Sequence, residues 1–338
     1  MQRLKERRVK HLIALSANPI KNNSGEYYPI LNLLGPELFP SKESFELDHL
    51  DYYVNEKGVA KRAGLRNPEA FKELTKDFII RRTRKEVLPD LPSVIRDYQY
   101  YKMESEVQKA YNAGVKKLDT FLKTEPKNTP TFNHKLKGHI MVLWHITGLS
   151  KTIPITDYIQ TFLDSTENGE KLAIFHHHID VGDVFESKFK ELGIPSIRII
   201  ASKHKPEDRD GIIEEFRRNP EIRFFIGPTL ACGEGVDIDF VEKAILAERE
   251  WNPANEEQVE GRFIRATAEA VRKAVEKGPS SFTMVYPTAI GTIDEFFSET
   301  VERKRQYCSE TMEGKRLQSW NEAEVMLQIA KRAVEGLN

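Results

Sequence analysis

The 338-residue sequence predicts an α/β protein built on a parallel sheet with helices on both faces. Two observations carry that expectation. From Lys171 onward, short apolar runs alternate with stretches of helical periodicity. The spacing of those runs by helix-length segments also implies βαβ units, which parallel strands require.

The elements follow in order. Residues 10–15, Lys-His-Leu-Ile-Ala-Leu, predict a strand, and the region after them reads as mostly helical. From Met103, apolar side chains recur at Val107, Tyr111, Val115, Leu118 and Leu122, one stripe of a helix. Residues 124–130, with two prolines, break that helix into a loop. Helices resume over residues 134–146 and 153–163, and Asn168-Gly169-Glu170 reads as the hinge into the sheet region. Strands are then expected at 171–175, 196–200, 222–226, 243–247 and 281–286. Helices are expected at 183–192, 206–218 and 255–265, with a long one from Thr292 towards Cys308. The tail, residues 316–338, places Val325, Met326, Ile329 and Ala333 at helical spacing and predicts an amphipathic helix.

Composition narrows the function classes. Hydrophobic residues at 39% and charged residues at 30% suit a globular protein, while 19 glycines and 17 prolines exclude collagen-like and low-complexity classes. No run approaches the ~18 apolar residues of a membrane span, and residues 1–8 lack a secretory signal. Two cysteines, Cys232 and Cys308, cannot build a disulfide framework, and an intracellular setting is expected. The net charge of −1 conceals an asymmetry: residues 1–150 hold 26 Lys and Arg against 18 Asp and Glu, and the rest hold 25 against 34. A basic first half is compatible with a polyanion partner or with a solvated face.

Three motifs bear on chemistry. Residues 227–238, Gly-Pro-Thr-Leu-Ala-Cys-Gly-Glu-Gly-Val-Asp-Ile, join two predicted strands through small residues at Ala231, Gly233 and Gly235. Such a loop lets a backbone approach a phosphate, or simply makes a sharp turn. Residues 258–265 follow on a predicted helix, where offsets of four and three put Gln258, Arg262 and Arg265 on one face. Paired guanidinium groups suit the charge that develops on a transferring phosphoryl group, and they are also common on surface helices. The run His176-His177-His178 invites a metal reading. Consecutive strand residues point to opposite faces, however, so three in a row do not converge on one ion, and no metal site is expected. Arg81-Arg82-Thr83-Arg84-Lys85 is a basic cluster that suits phosphate or a solvated helix end equally.

The order of the motifs resembles the later motifs of the Swi/Snf-type DNA translocases of helicase superfamily two, nearest to the annealing-helicase branch. The family's Leu-Thr-Gly-Thr-Pro-x-x-Asn-Asn appears as Leu15-Ser16-Ala17-Asn18-Pro19-Ile20-Lys21-Asn22-Asn23. Its Arg-Arg-Thr-Lys-Lys-Glu-Val, with a following Leu-Pro, appears at Arg81 to Val87 and Leu91-Pro92. The glycine loop matches residues 231–238, Trp251-Asn252-Pro253 is intact, and Gly291-Thr292-Ile293-Asp294-Glu295 closes the pattern. After Arg265 the family's Ile-Gly-Gln is replaced by Ala266-Thr267-Ala268. Neither a Gly-x-x-x-x-Gly-Lys-Ser/Thr phosphate loop nor an Asp-Glu-x-His motif occurs in the 338 residues.

The resemblance implies a RecA-like helicase C-terminal lobe over residues 151–312. Before it would come the tail of a first RecA-like lobe at 1–40 and a helical insertion at 41–150, and after it a C-terminal helix at 313–338. It implies ATP and Mg²⁺ as cofactors once an N-terminal lobe is present, and duplex or branched DNA as partner. Arg265 would be the principal arginine finger, with Arg262 beside it and Gln258 ordering the cleft. Gly233, Gly235 and Asp237 would couple nucleotide to DNA, and His177, Lys203, Thr229 and Asn18 would meet the DNA backbone. The function implied is the C-terminal portion of a DNA-dependent ATPase, translocase or helicase, inactive alone. The alternative is a non-catalytic nucleic-acid-binding or regulatory module that keeps the fold.

Overall fold

A computed structural model describes residues 11–16, 24–54, 60–82, 86, 93–127, 129–166, 169–264, 281–312 and 322–336. They divide into two compact units, one of Met1–Arg82, Asn252–Ala254 and Glu302–Val325, the other of Thr83–Trp251, Asn255–Val301 and Met326–Asn338.

The smaller unit holds α1 (Tyr28–Leu34), α2 (Lys42–His49), an antiparallel hairpin of β1 (Leu50–Val54) and β2 (Ala60–Leu65), and α3 (Pro68–Thr75). Its core is aromatic: Tyr27, Phe39, Phe45 and Phe71 close around Leu31, Leu50 and Leu65. Ser41 and Asn67 cap α2 and α3 by accepting from Ser44 N and Ala70 N. The expected strand at 10–15 is not found. Residues 11–16 carry no regular structure, and Ile13 and Leu15 are 82% and 93% exposed. A strand persists only with a partner to complete its ladder, and apolar periodicity cannot reveal whether one is present.

The larger unit is a six-stranded sheet in the order β3-β8-β7-β4-β6-β5, every pair parallel. Its strands are β3 (Ser93–Tyr101), β4 (Leu172–His176), β5 (Ser196–Arg198), β6 (Phe224–Pro228), β7 (Lys243–Leu246) and β8 (Ser281–Ala289). β4 is buried at every residue, and the two faces of the sheet build separate apolar clusters, one around Phe175, Phe225 and Phe263, the other around Ile174, Phe185 and Phe224. That is the two-sided burial expected of a parallel sheet.

Between β3 and β4 lie α4 (Ser105–Thr124), α5 (Pro130–Ser150) and α6 (Thr152–Ser165). The first two pack against each other, with Phe121 stacked on Phe132 at 4.9 Å. Crossovers α7 (Ile179–Glu191) and α8 (Pro206–Arg218), the short α9 (Thr229–Cys232) and α10 (Pro253–Phe263) follow, then α11 (Ile293–Met312) and α12 (Glu322–Glu335). α12 buries Met326, Ile329 and Ala333 of the predicted stripe, with Ala330 beside them, and leaves Val325 half-buried. The region before Lys171 is less helical than expected, because β1, β2 and β3 all precede it. β3 is an edge strand in which Arg96, Asp97 and Gln99 interrupt the apolar pattern, so no run announces it.

Candidate functional site

In open parallel sheets, ligands bind outside the carboxyl ends of the strands, where the strand order reverses. Here β4 runs to the histidine triplet, β6 to Pro228 and the glycine loop, and β7 to Glu248-Arg249-Glu250.

The histidines are each held apart. His176 Nδ1 donates to the His178 carbonyl at 2.9 Å, which leaves the lone pair on Nε2. Burial and the neighbouring Arg198 push its pKa down to about 4, so the ring is neutral. His177 Nδ1 donates to Glu250 Oε1 at 2.8 Å, and its ring lies 4.3 Å from that of Trp144. Burial opposes its charge, but the bond to Glu250 together with the negative charges of Glu250 and Glu248 outweighs burial and holds its pKa above the ordinary value. His178 donates through Nδ1 to Glu248 Oε1 at 2.6 Å. Glu248 Oε2 also accepts the peptide N–H groups of His177 and His178, at 2.8 and 2.9 Å. Burial alone would raise the Glu248 carboxyl, yet His178 and those N–H groups hold it below the usual range. Among the described residues no set of three His, Cys, Asp or Glu converges to hold a metal ion.

Beside the triplet lies a cavity of about 230 Å³, lined by His176, His177, Ile179, Arg198, Leu230 and Glu250 among others. Arg198 is buried there, donating to Asp183 at 2.6 Å, to Glu186 at 2.9 Å and to the Ile179 carbonyl at 3.0 Å.

The glycine loop and α10 are joined directly. Arg262 Nε donates to the Gly233 carbonyl at 2.9 Å, and Arg262 Nη2 bonds the same oxygen. Gln258 sits one turn earlier on that face, its Oε1 3.5 Å from where a Cβ on Gly233 would lie. Gly235 has φ +71°, a left-handed backbone that favours glycine. The opposite face of α10 is anchored by Glu256, which takes Arg249 Nε and Nη2 at 2.9 and 2.8 Å, and by Glu260, which takes Arg96 and Tyr286. Asp237 is half-buried, and its carbonyl accepts from Arg217 at 3.4 Å.

The structure thus brings Gln258, Arg262 and Gly233 together, with Gly235 and Asp237 on the same loop. α10 ends at Phe263, so the shared face covers Gln258 and Arg262, while Arg265 and Asn18 lie outside the described residues. Lys203 is exposed in the turn after β5. Thr229 departs from expectation. Its side chain is buried, with the hydroxyl donating to the His176 carbonyl at 3.2 Å, because α9 turns it under the end of β4. Sequence reasoning missed Glu248, Arg249, Glu250 and Trp144. The available signal was a Glu-Arg-Glu run directly after an apolar strand, where three charges in a row follow buried backbone.

A parallel sheet whose carboxyl edges carry a glycine loop tied to an arginine-bearing helix is a RecA-like lobe. Comparison with known proteins carries this further. The SNF2-related domain family model matches residues 1–147, and that of the helicase conserved C-terminal domain matches residues 154–267. On both matches the chain is similar to the Swi/Snf-type helicases of superfamily two.

It is 24% identical over 312 residues to the DNA annealing helicase and endonuclease ZRANB3 of Bos taurus, covering 91% of this chain and 28% of that protein. It is 25% identical over 317 residues to the uncharacterized ATP-dependent helicase MG018 of Mycoplasma genitalium, covering 89% of this chain and 28% of that one. The chain therefore spans little more than a quarter of the curated relatives it matches. The fold is similar to the Sulfolobus solfataricus SWI2/SNF2 ATPase core in complex with dsDNA, with TM-score 0.55, 22% identity, and 96% of this chain and 66% of that one covered. It is also similar to that ATPase's C-terminal domain, with TM-score 0.51, 19% identity, and 72% and 99% covered. No described helix is long and apolar enough to cross a membrane.

Proposed function

We propose that this chain supplies the second RecA-like lobe of a DNA-dependent ATPase or translocase, completing an ATP site whose phosphate loop and Mg²⁺ carboxylate come from an N-terminal lobe. The observation that carries this reading is the bond between Arg262 and the Gly233 carbonyl. It couples the arginine helix to the glycine loop, so that movement of one is felt by the other. The donor set fits one side of a nucleotide site: a carboxamide at Gln258 and a guanidinium at Arg262, with Arg265 three residues on. ATP and Mg²⁺ would supply the phosphoryl group and the charge neutralisation. This chain's part is to present guanidinium groups, through Arg265 above all, where charge develops in the transition state. In the conformation described, Arg262 serves its own loop, which gives it the supporting role and leaves Arg265 as the principal finger. Gly235 and Asp237 would relay nucleotide state to DNA, with His177, Lys203 and Asn18 beside the DNA backbone. The peptide at Thr229 turns the chain there, while its side chain stays in the core. The segments 1–40, 41–150, 151–312 and 313–338 would be, respectively, the end of the first lobe, the helical insertion, the second lobe and a C-terminal helix.

The test joins the chain to a cognate lobe carrying the two missing motifs and measures steady-state ATPase at saturating DNA. DNA-stimulated turnover is expected to fall by roughly 10³-fold or more in Arg265→Ala, with nucleotide and DNA affinity little changed. Arg265→Lys should rescue poorly, since an ammonium cannot span two phosphate oxygens. Near-normal turnover in Arg265→Ala would refute the finger and favour a non-catalytic, nucleic-acid-binding module.

A further inference from the structure

The geometry points to Arg96, on the edge strand β3, as a positioning residue for the arginine helix: through Glu260 it sets where α10 holds Gln258 and Arg262. The inference rests on the reading of α10 given above and extends it to a residue that no motif contains.

The register places Arg96 beside Met284 and Tyr98 beside Tyr286, so Arg96 and Tyr98 share one face of β3 with Tyr286 of β8. The Tyr98 and Tyr286 rings stack at 5.2 Å. Glu260 lies over this face, almost wholly buried. Its Oε1 accepts Arg96 Nε at 2.8 Å and the Tyr286 hydroxyl at 2.7 Å, and its Oε2 accepts Arg96 Nη2 at 2.6 Å. One turn earlier, Glu256 takes the buried Arg249 in the same two-pronged way, and that guanidinium rests 4.4 Å over the Tyr286 ring. α10 is therefore gripped at two carboxylates four residues apart.

Gln258 and Arg262 are also four residues apart, displaced by two from the gripped pair, and so project from roughly the opposite side of the helix. A rotation of α10 about its axis would swing them by the same angle. The Arg249 clamp comes from within the adjoining segment and fixes the first turn. The Arg96 clamp comes from a strand about 160 residues away and fixes the turn that bears Arg262. A fork-shaped guanidinium on both carboxylate oxygens restrains rotation in a way a single point contact does not. β3 leads through Tyr101 directly into α4, so the same strand ties the helical pair α4–α5 to the placement of α10.

The test has two arms. The first is hydrogen–deuterium exchange on the whole chain, without nucleotide. Arg96→Met should speed exchange in peptides over 253–263 and 233–238 by roughly ten- to a hundredfold, the loss expected when a charged hydrogen-bonded pair is removed. Peptides over 105–150 should be unchanged. Arg96→Lys, which keeps the charge but not the fork, should fall between, and it serves if Arg96→Met fails to fold.

The second arm is DNA-stimulated ATPase of the chain joined to its N-terminal lobe. Arg96→Met should lower kcat by roughly 10- to 100-fold with little change in KM for ATP. On an Arg262→Ala background it should add far less, because Arg96 acts, through Glu260 on the other side of α10, by placing the face that carries Arg262. Unaltered exchange over 253–263 in Arg96→Met would overturn the proposal. So would a loss that is fully additive with Arg262→Ala, since that would make Arg96 merely structural. Absence of DNA-stimulated turnover in the unsubstituted complex would instead refute the proposed function, and the exchange arm would then decide the clamp by itself.

Discussion

Replacing Gly148 by alanine sets two effects of opposite sign against each other. Alanine favours a helix interior over glycine by about 1 kcal/mol, so propensity alone predicts a more stable protein. A Cβ at Gly148, however, would stand 2.4 Å from Glu248 Oε1 and 2.8 Å from its Cδ, distances that no real methyl group tolerates. The carboxylate must then move, and it is buried and carries the peptide N–H groups of His177 and His178 together with the His178 ring. Separating a buried charge from its partners costs about 3–5 kcal/mol. The helix gain offsets about 1 of these, for a net loss of about 2–4 kcal/mol. In a domain of this size that corresponds to a fall in Tm of roughly 5–15 °C. The control is in the same helix. A Cβ at Gly138 meets nothing within 4 Å, so Gly138→Ala should stabilise by up to about 1 kcal/mol. Thermal denaturation of both variants beside the parent decides the matter. If Gly148→Ala melts at or above the parent temperature, Glu248 is not held as described.

Three further outcomes are expected. His176 is kept neutral down to about pH 4, below its unfolded value, so unfolding takes up a proton and stability should fall as pH drops from about 6.5 towards 4. A shift of that size is worth on the order of 3 kcal/mol, and an NMR titration placing the ring near 6.5 would contradict it. Cys232 is buried with its thiol pushed up to about 12, so in a Cys308→Ser background a thiol reagent at pH 8 should label only unfolded protein; prompt native labelling would refute the burial. DNA binding by the chain, followed by fluorescence anisotropy, should be insensitive to sequence and weaken roughly tenfold or more between about 50 and 200 mM salt. Salt-independent binding would rule out phosphate contacts as its source.

What the sequence disclosed follows from the physics of each element. β4, β6 and β7 are buried on both faces, so their apolar runs stand out, and the helices between them show an unbroken periodicity. β3 is half solvated at the sheet edge, and its Arg96 serves a carboxylate on α10, so the residue that matters most there is the one that breaks the pattern. The expected strand at 10–15 failed for the converse reason, since apolar residues supply a face but not a partner. The glycine loop and the arginine helix were legible as separate motifs. The bond from Arg262 to Gly233 spans 29 residues and is made only by the fold. Thr229 misled because its neighbours in sequence are loop residues, whereas its hydroxyl is taken up by the end of β4. The Glu-Arg-Glu run flagged Glu248 only as a charge after a buried strand; its role rests on the two peptide donors of His177 and His178, which only the fold brings to it.

The parallel pairing of β3 with β8 joins Ser93 to Ser281 and so closes a loop of about 190 residues. On a ribosome adding 5–20 residues each second, roughly ten to forty seconds separate the emergence of the two strands. Through that interval β4, β5, β6 and β7 can assemble among themselves, because every strand they need is already out. β3 cannot join them, since β8, its neighbour among the described strands, is still unmade. Its charged residues keep that waiting strand soluble, and the helical pair behind it can form from local contacts alone. Among the described strands of this sheet, the last in the sequence is the one that seats the first. The pairing that seats β3 beside β8 is also the one that carries Arg96 to Glu260, so the second grip on the arginine helix has to wait for β8.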